Sequence, residues 1–233
     1  MFRLTRGDDI ARLVLDRPEA RNAVPAAGWA ELARLLGTVE GRILVVSGAR
    51  GAFCAGADLA DFSAMRSDAA ARLRFREDMR GALDALRDLP IPTIALIEGP
   101  CYGAGVALAM ACDLRVAGAG ARFAITPARI GISYPHEDVH RLVALVGPGQ
   151  AARLLFTAAE IDRAEALRIG LVELAEIDEA AILANDAASL TELKRAIALA
   201  AAGVRSDPDG NRRFDALIGG DGLTRRLEAL RRK

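Results

Sequence analysis

The 233-residue chain is long enough for one large domain with a sizeable core, and 52% of its residues are hydrophobic while only 4% are aromatic. Its 31 Lys and Arg residues balance its 31 Asp and Glu residues, so no global field attracts nucleic acid or an anionic membrane. The N-terminus lacks a continuous apolar segment, and the three cysteines (Cys54, Cys101 and Cys112) fit no zinc spacing. We therefore expect a cytoplasmic protein with no metal, no nucleic-acid partner and no membrane partner.

The first half of the chain alternates between short apolar stretches and helical patterns. In the first predicted helix, for example, Trp29, Leu32 and Leu36 recur at helical spacing. In chain order we predict strands at 2–6 and 10–17, a helix at 25–39, a strand at 42–48, a loop at 49–59, a helix at 68–89, a strand at 91–99, a helix at 103–111, and strands at 113–117 and 121–125.

The second half is mainly helical from Glu137 onward, with Gly and Pro residues between the segments. Strands that alternate with helices, followed by helices alone, are typical of an α/β core with a helical appendage. We therefore predict an α/β fold with a core over 1–176 and a helical C-terminal region over 177–233. The predicted helices are 137–146, 148–157, 162–170, 178–187, 189–203, 208–217 and 221–232.

Two loops of small residues follow two of the predicted buried strands. One contains Ala55-Gly56-Ala57-Asp58, and the other, Gly103-Ala104-Gly105, opens a helix. Small residues let a ligand approach the backbone, and N–H groups at a helix start lack partners, so the two loops could direct two donors at one developing oxyanion. A tight structural turn is the alternative for either loop alone. Neither loop has the dinucleotide-binding or phosphate-loop pattern.

Longer motifs surround these loops: LDRPEARNAV (15–24), GAFCAGADL (51–59), IPTIALIEGPCYGAGVALAMACDLRVA (91–117), ARFAITPARIGI (121–132), LVGPGQAARLLFTAAEIDRAEALRIGLV (145–172) and NRRFDAL (211–217). In this order they resemble the enoyl-CoA hydratase/isomerase (crotonase) superfamily from about Ile10 to Gly170, and less closely to the end. The resemblance implies a spiral of ββα units and a helical C-terminal region that assembles homotrimers or hexamers (dimers of trimers). It also implies an acyl-CoA substrate, with coenzyme A as part of that substrate and no permanently bound cofactor.

The resemblance also implies roles for individual residues. The backbone N–H groups of Ala57 and Ala104 would bind the thioester oxygen and stabilise an enolate. A surface ion pair is an equally good interpretation of Arg21, and an acidic residue such as Asp58 is more often a helix or turn cap. The residues that the resemblance assigns to substrate and CoA binding are Arg21, Ala55, Gly56, Asp58, Leu59, Gly103 and Phe214.

The family's hydratases place two glutamates around a water, and at those positions this chain has Ala107 and Pro127. Neither side chain can transfer a proton, which argues against plain hydration and against the single-glutamate isomerase mechanism. The segment from Thr126 to Tyr134 is similar in part to the methylmalonyl-CoA decarboxylase branch, and Tyr134 matches that branch's active-site tyrosine. That branch keeps a glutamate where this chain has Ala107.

Tyr134 and Asp138 are thus the candidate catalytic side chains. A packing role is the alternative for Tyr134, and helix capping is the alternative for Asp138 and Glu137. Three hypotheses follow: a CoA-thioester enzyme working through an enolate, with decarboxylation or another reaction that needs no glutamate; a hydratase or isomerase whose acid has moved to Asp138 or Glu137; and a CoA-binding relative without catalysis.

Overall fold

The computed structural model describes residues 1–231, which form two compact units. The core unit comprises 1–89 and 93–177, and the C-terminal unit comprises 90–92 and the chain from Asp178 onward. Strands and helices both contribute to the core unit, whereas the C-terminal unit is helical, as the α/β prediction requires.

Eight strands lie in two sheets of the core unit. The strands are Phe2–Thr5 (β1), Ile10–Leu15 (β2), Ile43–Gly48 (β3), Thr93–Ile97 (β4), Pro100–Tyr102 (β5), Leu114–Ala117 (β6), Arg122–Ala124 (β7) and Ile161–Asp162 (β8). The larger sheet has the order β1-β2-β3-β4-β6, with β1 antiparallel to β2 and the other pairs parallel. The smaller has the order β5-β7-β8, with β5 parallel to β7 and β7 antiparallel to β8.

The larger sheet contains three parallel pairs of strands in fixed register. Ile10 pairs with Ile43, Leu44 with Thr93, and Ile94 with Leu114. Parallel strands are covered on both faces, so they are continuous apolar runs, and the first four residues of β3 are all buried.

Among residues 1–231, six α-helices belong to the core unit and four to the C-terminal unit. They are Ala26–Leu36 (α1), Leu59–Met65 (α2), Ala69–Arg87 (α3), Ala104–Ala111 (α4), His136–Thr157 (α5) and Arg163–Arg168 (α6), followed by Glu179–Leu183 (α7), Ala187–Ala201 (α8), Pro208–Ile218 (α9) and Asp221–Arg231 (α10). No helix within the described residues is long and apolar enough to cross a membrane.

Helix α4 is the most buried element of the core unit. Every residue from Gly105 to Ala111 is buried, which is possible because no side chain in this helix is charged or polar. Helix α3 packs against both α1 and α4, and Trp29 of α1 and Leu83 of α3 are fully buried. The helix that begins at the second glycine loop is therefore held rigidly by its surroundings.

Several element predictions are confirmed and others are wrong. Helix α5 is interrupted at Gly147 (φ +74°, ψ 162°), which agrees with the two predicted helices on either side of Gly147. The structure adds α2 and β5, almost entirely in stretches (60–67 and 100–102) to which the sequence analysis assigned no element, and β8, whose second residue was predicted to begin a helix. Residue 232 of the last predicted helix lies outside the described residues.

Candidate active site

The two glycine loops lie side by side in the core unit. Cys54 and Cys101 form a parallel bridge, and the Tyr102 N–H donates to the Cys54 carbonyl oxygen at 2.8 Å. The Phe53 N–H donates in turn to the Pro100 carbonyl oxygen at 3.0 Å. These backbone bonds join the chain after β3 to β5 and so bring the two loops together.

Glycine allows the loops to approach this closely. A Cβ atom at Gly105 would lie 2.4 Å from the Cys54 carbonyl oxygen, closer than two such atoms can approach. A Cβ at Gly56 would lie 2.9 Å from the Tyr102 carbonyl oxygen and 3.3 Å from the Ala104 nitrogen. Gly56 also has a φ of +104°, which disfavours other residues. The backbone of the first loop thus passes directly beside the amide of Ala104.

Two backbone N–H groups at this junction have no acceptor among the described residues. Val24 pairs with the neighbours of Ala57: its N–H donates to the Gly56 carbonyl at 2.8 Å, and its carbonyl accepts from the Asp58 N–H at 2.9 Å. The Ala57 N–H is left unpaired. The Ala104 N–H is the first of helix α4 and is also unpaired. Both are available to a ligand.

These two residues line a cavity of about 130 Å³ in the core unit. Its walls are mostly apolar, and Phe62 from α2 meets Phe75 from α3 edge to face, with ring centroids 5.5 Å apart. A neighbouring open cleft is also lined by these two phenylalanines. The lining residues are Ala55, Gly56, Ala57, Leu59, Phe62, Phe75, Met79, Gly103, Ala104, Thr126, Pro127, Ile130, Ile132, Ser133, Tyr134, Pro135 and Asp138.

Asp138 is the acidic residue in this lining, and its side chain is fully buried. Its Oδ1 accepts from Arg80 Nη1 at 3.1 Å, while its Oδ2 has no partner within residues 1–231. Burial raises the pKa of Asp138, and the Arg80 charge and hydrogen bond oppose that rise. One oxygen of this carboxyl group is therefore held by a guanidinium, and the other is free to exchange a proton.

Tyr134 also lines the cavity, with only 9% of its surface exposed. Its hydroxyl donates to the Gly103 carbonyl oxygen at 3.0 Å. Burial, and then the nearby charge of Asp138, raise the pKa of Tyr134 well above its ordinary value. The phenol keeps its proton, and that proton is engaged with the backbone.

The two positions of the family's glutamates are differently placed. Pro127 lines the cavity at the start of a 3-10 helix, Pro127–Ile130. Ala107 is buried in α4 and is not part of the described lining. Among the described lining residues, Asp138 and Tyr134 are those with a titratable side chain. Cys54 and Cys101 are buried outside this lining, and burial raises the pKa of Cys54 to about 12.

Three of the predicted binding residues do not line the cavity. The Arg21 side chain is exposed, and its carbonyl oxygen accepts from the Ala55 N–H at 3.0 Å. Asp58 caps α2 by accepting a hydrogen bond from the Ala60 N–H at 3.1 Å. The pKa of Asp58 is lowered mainly by its 2.6 Å contact with Arg17 and secondly by this capping hydrogen bond. Phe214 is exposed on α9 of the C-terminal unit. Ala55, Gly56, Leu59 and Gly103 do line the cavity.

The sequence analysis missed Phe62 because it assigned 49–59 to a loop and placed no helix between that loop and residue 68. The signal was present: Asp58 is an acidic residue at the N-cap position of the helix Leu59–Met65. Asn22, also missed, is buried at φ +60° and donates to the carbonyl oxygens of Ala49 and Ala52 at 2.9 and 2.8 Å. It fixes the start of the first loop.

Comparison with known proteins identifies the family. Residues 5–216 match the family described as enoyl-CoA hydratase/isomerase. The chain is 35% identical over 174 residues to the probable enoyl-CoA hydratase echA6 of Mycobacterium tuberculosis. The aligned residues cover 73% of this chain and 69% of that protein. The chain therefore belongs to the enoyl-CoA hydratase/isomerase family, as the motifs predict.

Solved structures agree with this assignment. A Hyphomonas neptunium protein provisionally assigned to the same family superposes with a TM-score of 0.90 at 35% identity, covering 98% of this chain and 94% of that one. A Thermobifida fusca protein, provisionally assigned as an enoyl-CoA hydratase and crystallised with acetoacetyl-CoA, gives a TM-score of 0.81 at 30% identity, covering 97% of this chain and 95% of that one. The predicted crotonase-type fold is confirmed.

Proposed function

We propose that this protein is an enzyme that binds an acyl-CoA thioester in the cavity and stabilises its enolate on the N–H groups of Ala57 and Ala104. The observation that carries this proposal is the pair of unpaired N–H groups where the two loops meet. A carbonyl oxygen gains negative charge when an enolate forms, so fixed donors stabilise the enolate more than the ground state. CoA complexes of two Thermobifida fusca neighbours support the ligand class.

Asp138 is the group that we propose moves the proton. As a carboxylate it takes a proton from the carbon next to the thioester carbonyl, the electron pair moves to the oxygen, and protonated Asp138 returns a proton to the resulting enolate. Its unpartnered Oδ2 supports this role, and its raised pKa makes the ionised group a stronger base. Reactions that need a second acid, such as hydration, are disfavoured by Ala107 and Pro127.

The acyl group that fits is short and apolar. The cavity measures about 130 Å³, and Phe62 and Phe75 lie between it and the neighbouring cleft, since they line both. For the CoA moiety we propose contacts with Ala55, Gly56, Leu59 and Gly103, which line the cavity, and with Arg21 and Asp58 around its first loop.

Decarboxylation is the second candidate. A carboxylate on the acyl group loses carbon dioxide more easily once it is removed from water, and the apolar cavity provides that environment. The resulting enolate needs the same two N–H groups and one proton. Asp138 could supply that proton, because the Tyr134 hydroxyl is engaged with Gly103.

We also propose that the protein assembles as a homotrimer or a dimer of trimers through the C-terminal unit, to which Phe214 belongs. Large apolar side chains on α8 and α9 are exposed there. These side chains are Leu193, Ile197, Phe214 and Ile218, each at least 54% exposed. A surface with several exposed apolar side chains favours association with further copies of the chain.

Mass spectrometry of three incubations tests the reaction. In D₂O, butyryl-CoA should gain deuterium next to its thioester carbonyl if the enolate forms. Loss of carbon dioxide from methylmalonyl-CoA would establish the decarboxylase candidate, and addition of water to crotonyl-CoA would contradict our argument from the missing glutamates. Binding of butyryl-CoA without any of these changes would make the protein a CoA-binding relative without catalysis.

A further inference from the structure

The hydroxyl of Tyr134 and the proposed oxyanion donor belong to one peptide unit. The hydroxyl donates to the Gly103 carbonyl oxygen at 3.0 Å, and the peptide bond that carries this carbonyl also carries the Ala104 N–H. A peptide unit is planar, with its C=O and N–H pointing in opposite directions. Tyr134 therefore contacts the buried edge of the peptide whose other edge faces the cavity.

The local backbone makes this contact important for orientation. Gly103 has φ +51° and ψ −118°, a conformation that favours glycine, so hydrogen bonds rather than a Cβ atom fix the orientation of the peptide unit that follows it. Gly103 is tied by its own N–H to the Ala124 carbonyl at 2.9 Å. Its carbonyl is held from the helix side by the N–H groups of Val106 and Ala107, at 3.0 and 3.3 Å. The Tyr134 hydroxyl is the side-chain donor in this arrangement.

A hydrogen bond to a carbonyl oxygen also strengthens the N–H at the other end of the peptide. It draws electron density onto the oxygen and leaves the N–H more positive, and linked bonds strengthen each other by roughly 10–30% in condensed phases. The effect is larger in a dry site, and Tyr134 is buried there. The phenol thus contributes to oxyanion binding without touching the oxyanion.

We propose that Tyr134 is a positioning residue that orients and polarises the Gly103–Ala104 peptide for oxyanion binding. This inference rests on the proposed function. It differs from the proton-donor role that a tyrosine in such a cavity suggests, because the phenol proton is not transferred. The tyrosine keeps its proton because burial, and then the charge of Asp138, raise its pKa well above the ordinary value.

Infrared spectroscopy of bound butyryl-CoA carrying ¹³C at the thioester carbonyl measures the oxyanion donors directly. In the wild-type protein the carbonyl stretch should move to lower wavenumber on binding. In Tyr134→Phe the shift should shrink by about 10–30%, since one linked hydrogen bond is lost. Tyr102→Phe is the matched control: it removes the other tyrosine hydroxyl of the chain, which donates to Glu160 at 2.5 Å and lies outside the cavity. Its shift should equal the wild-type shift.

A second variant covers the case in which Tyr134→Phe does not fold. With Tyr102 replaced by Phe, Tyr134 is the only tyrosine in the sequence. Biosynthetic incorporation of 3-fluorotyrosine then makes the Tyr134 hydroxyl a stronger donor with almost no change of shape. The carbonyl shift should increase, whereas a role in packing alone would leave it unchanged.

The possible outcomes distinguish a failure of the proposed role of Tyr134 from a failure of the proposed oxyanion site. A wild-type carbonyl that does not shift on binding would overturn the oxyanion site itself. A normal wild-type shift that neither Tyr134→Phe nor fluorination alters would overturn the role of Tyr134 and leave the oxyanion site standing.

Discussion

Asp138 contacts Arg80 through one carboxylate oxygen and leaves the other without a partner, within the part of the chain that the structure describes. Burying a carboxyl group in this way is costly unless its proton is retained or used. The same residue lies in the cavity with the unpaired amides of Ala57 and Ala104. The site therefore combines one buried carboxyl group, whose pKa is raised, with two unpaired backbone N–H donors. These are the groups that the proposed proton exchange next to a thioester requires.

Replacing Asp138 with Asn should lower deuterium exchange into butyryl-CoA by 10² to 10⁴-fold, on the order expected for loss of a general base. Binding of butyryl-CoA, measured by calorimetry, should change little because Asn keeps the shape and can still accept from Arg80. In the wild type, exchange should rise with pH through a pKa above the ordinary Asp value, because burial raises it.

Glu137→Gln is the control for this substitution. Glu137 precedes Asp138 on α5 but is exposed and does not line the cavity. Unchanged exchange in Asp138→Asn, or its loss in Glu137→Gln, would move the proton-transfer role away from Asp138.

Asn22 shows how a single buried amide supports the site from a distance. Its side chain donates to Ala49 and Ala52 and accepts from the Arg17 N–H at 2.9 Å. Asn22→Ala should cost about 1–3 kcal/mol or more of unfolding free energy, because buried backbone groups are left without partners. Urea denaturation measures this. Asn185→Ala, which removes a 2.9 Å bond from an exposed Asn to the Ala181 carbonyl, should cost less.

At the scale of elements, Phe62 on α2 and Phe75 on α3 form the wall between the cavity and the neighbouring cleft. Phe62→Ala should open this wall, so that a longer acyl chain can continue into the cleft. Octanoyl-CoA is longer than butyryl-CoA by four methylene groups, and burial of two of them in the cleft is worth about 1.6 kcal/mol, so its affinity should rise roughly tenfold relative to that of butyryl-CoA.

Calorimetric titration of both ligands checks this expectation. Leu73→Ala shortens an exposed side chain on the same helix α3, away from the described lining, and should leave the ratio of the two affinities unchanged. An unchanged ratio in Phe62→Ala would mean that the acyl chain leaves the cavity by another route.

The elements that the sequence predicts are those whose signal is local. Strand β3 is a run of apolar residues, and α4 follows a glycine turn with no polar residue inside it. Strands β5 and β8 have three and two residues, and they exist because each pairs with β7. Because this pairing depends on the tertiary structure, such short strands cannot be predicted from the local sequence pattern.

The same distinction applies to the site. The two loops could be located from the small residues and glycines that follow predicted strands, but a tight turn is the alternative for either loop alone, and Ala57 and Ala104 are assigned within them through the family resemblance. Tyr134 and Asp138 could be placed near the cavity, but not their partners: Arg80 and the Gly103 carbonyl are 58 and 31 residues away along the chain. Partners at that separation are determined by packing, and it is the partners that distinguish a proton carrier from a positioning residue.

At the scale of the whole molecule, the exposed apolar side chains of α8 and α9 predict an assembly. Ile197 is 68% exposed on α8. Ile197→Glu would place a charge in an apolar interface, where desolvation is unfavourable, and should convert the proposed trimer or hexamer to smaller species.

Light scattering coupled to gel filtration gives the mass of both proteins. Ala27→Glu adds the same charge at an exposed position of α1 in the core unit and should keep the wild-type mass. Circular dichroism should show that Ile197→Glu retains its helices, since the substituted side chain is exposed within the chain. A wild-type protein with the mass of one chain would contradict the assembly, and Ile197→Glu with the full wild-type mass would place the interface away from this face of α8.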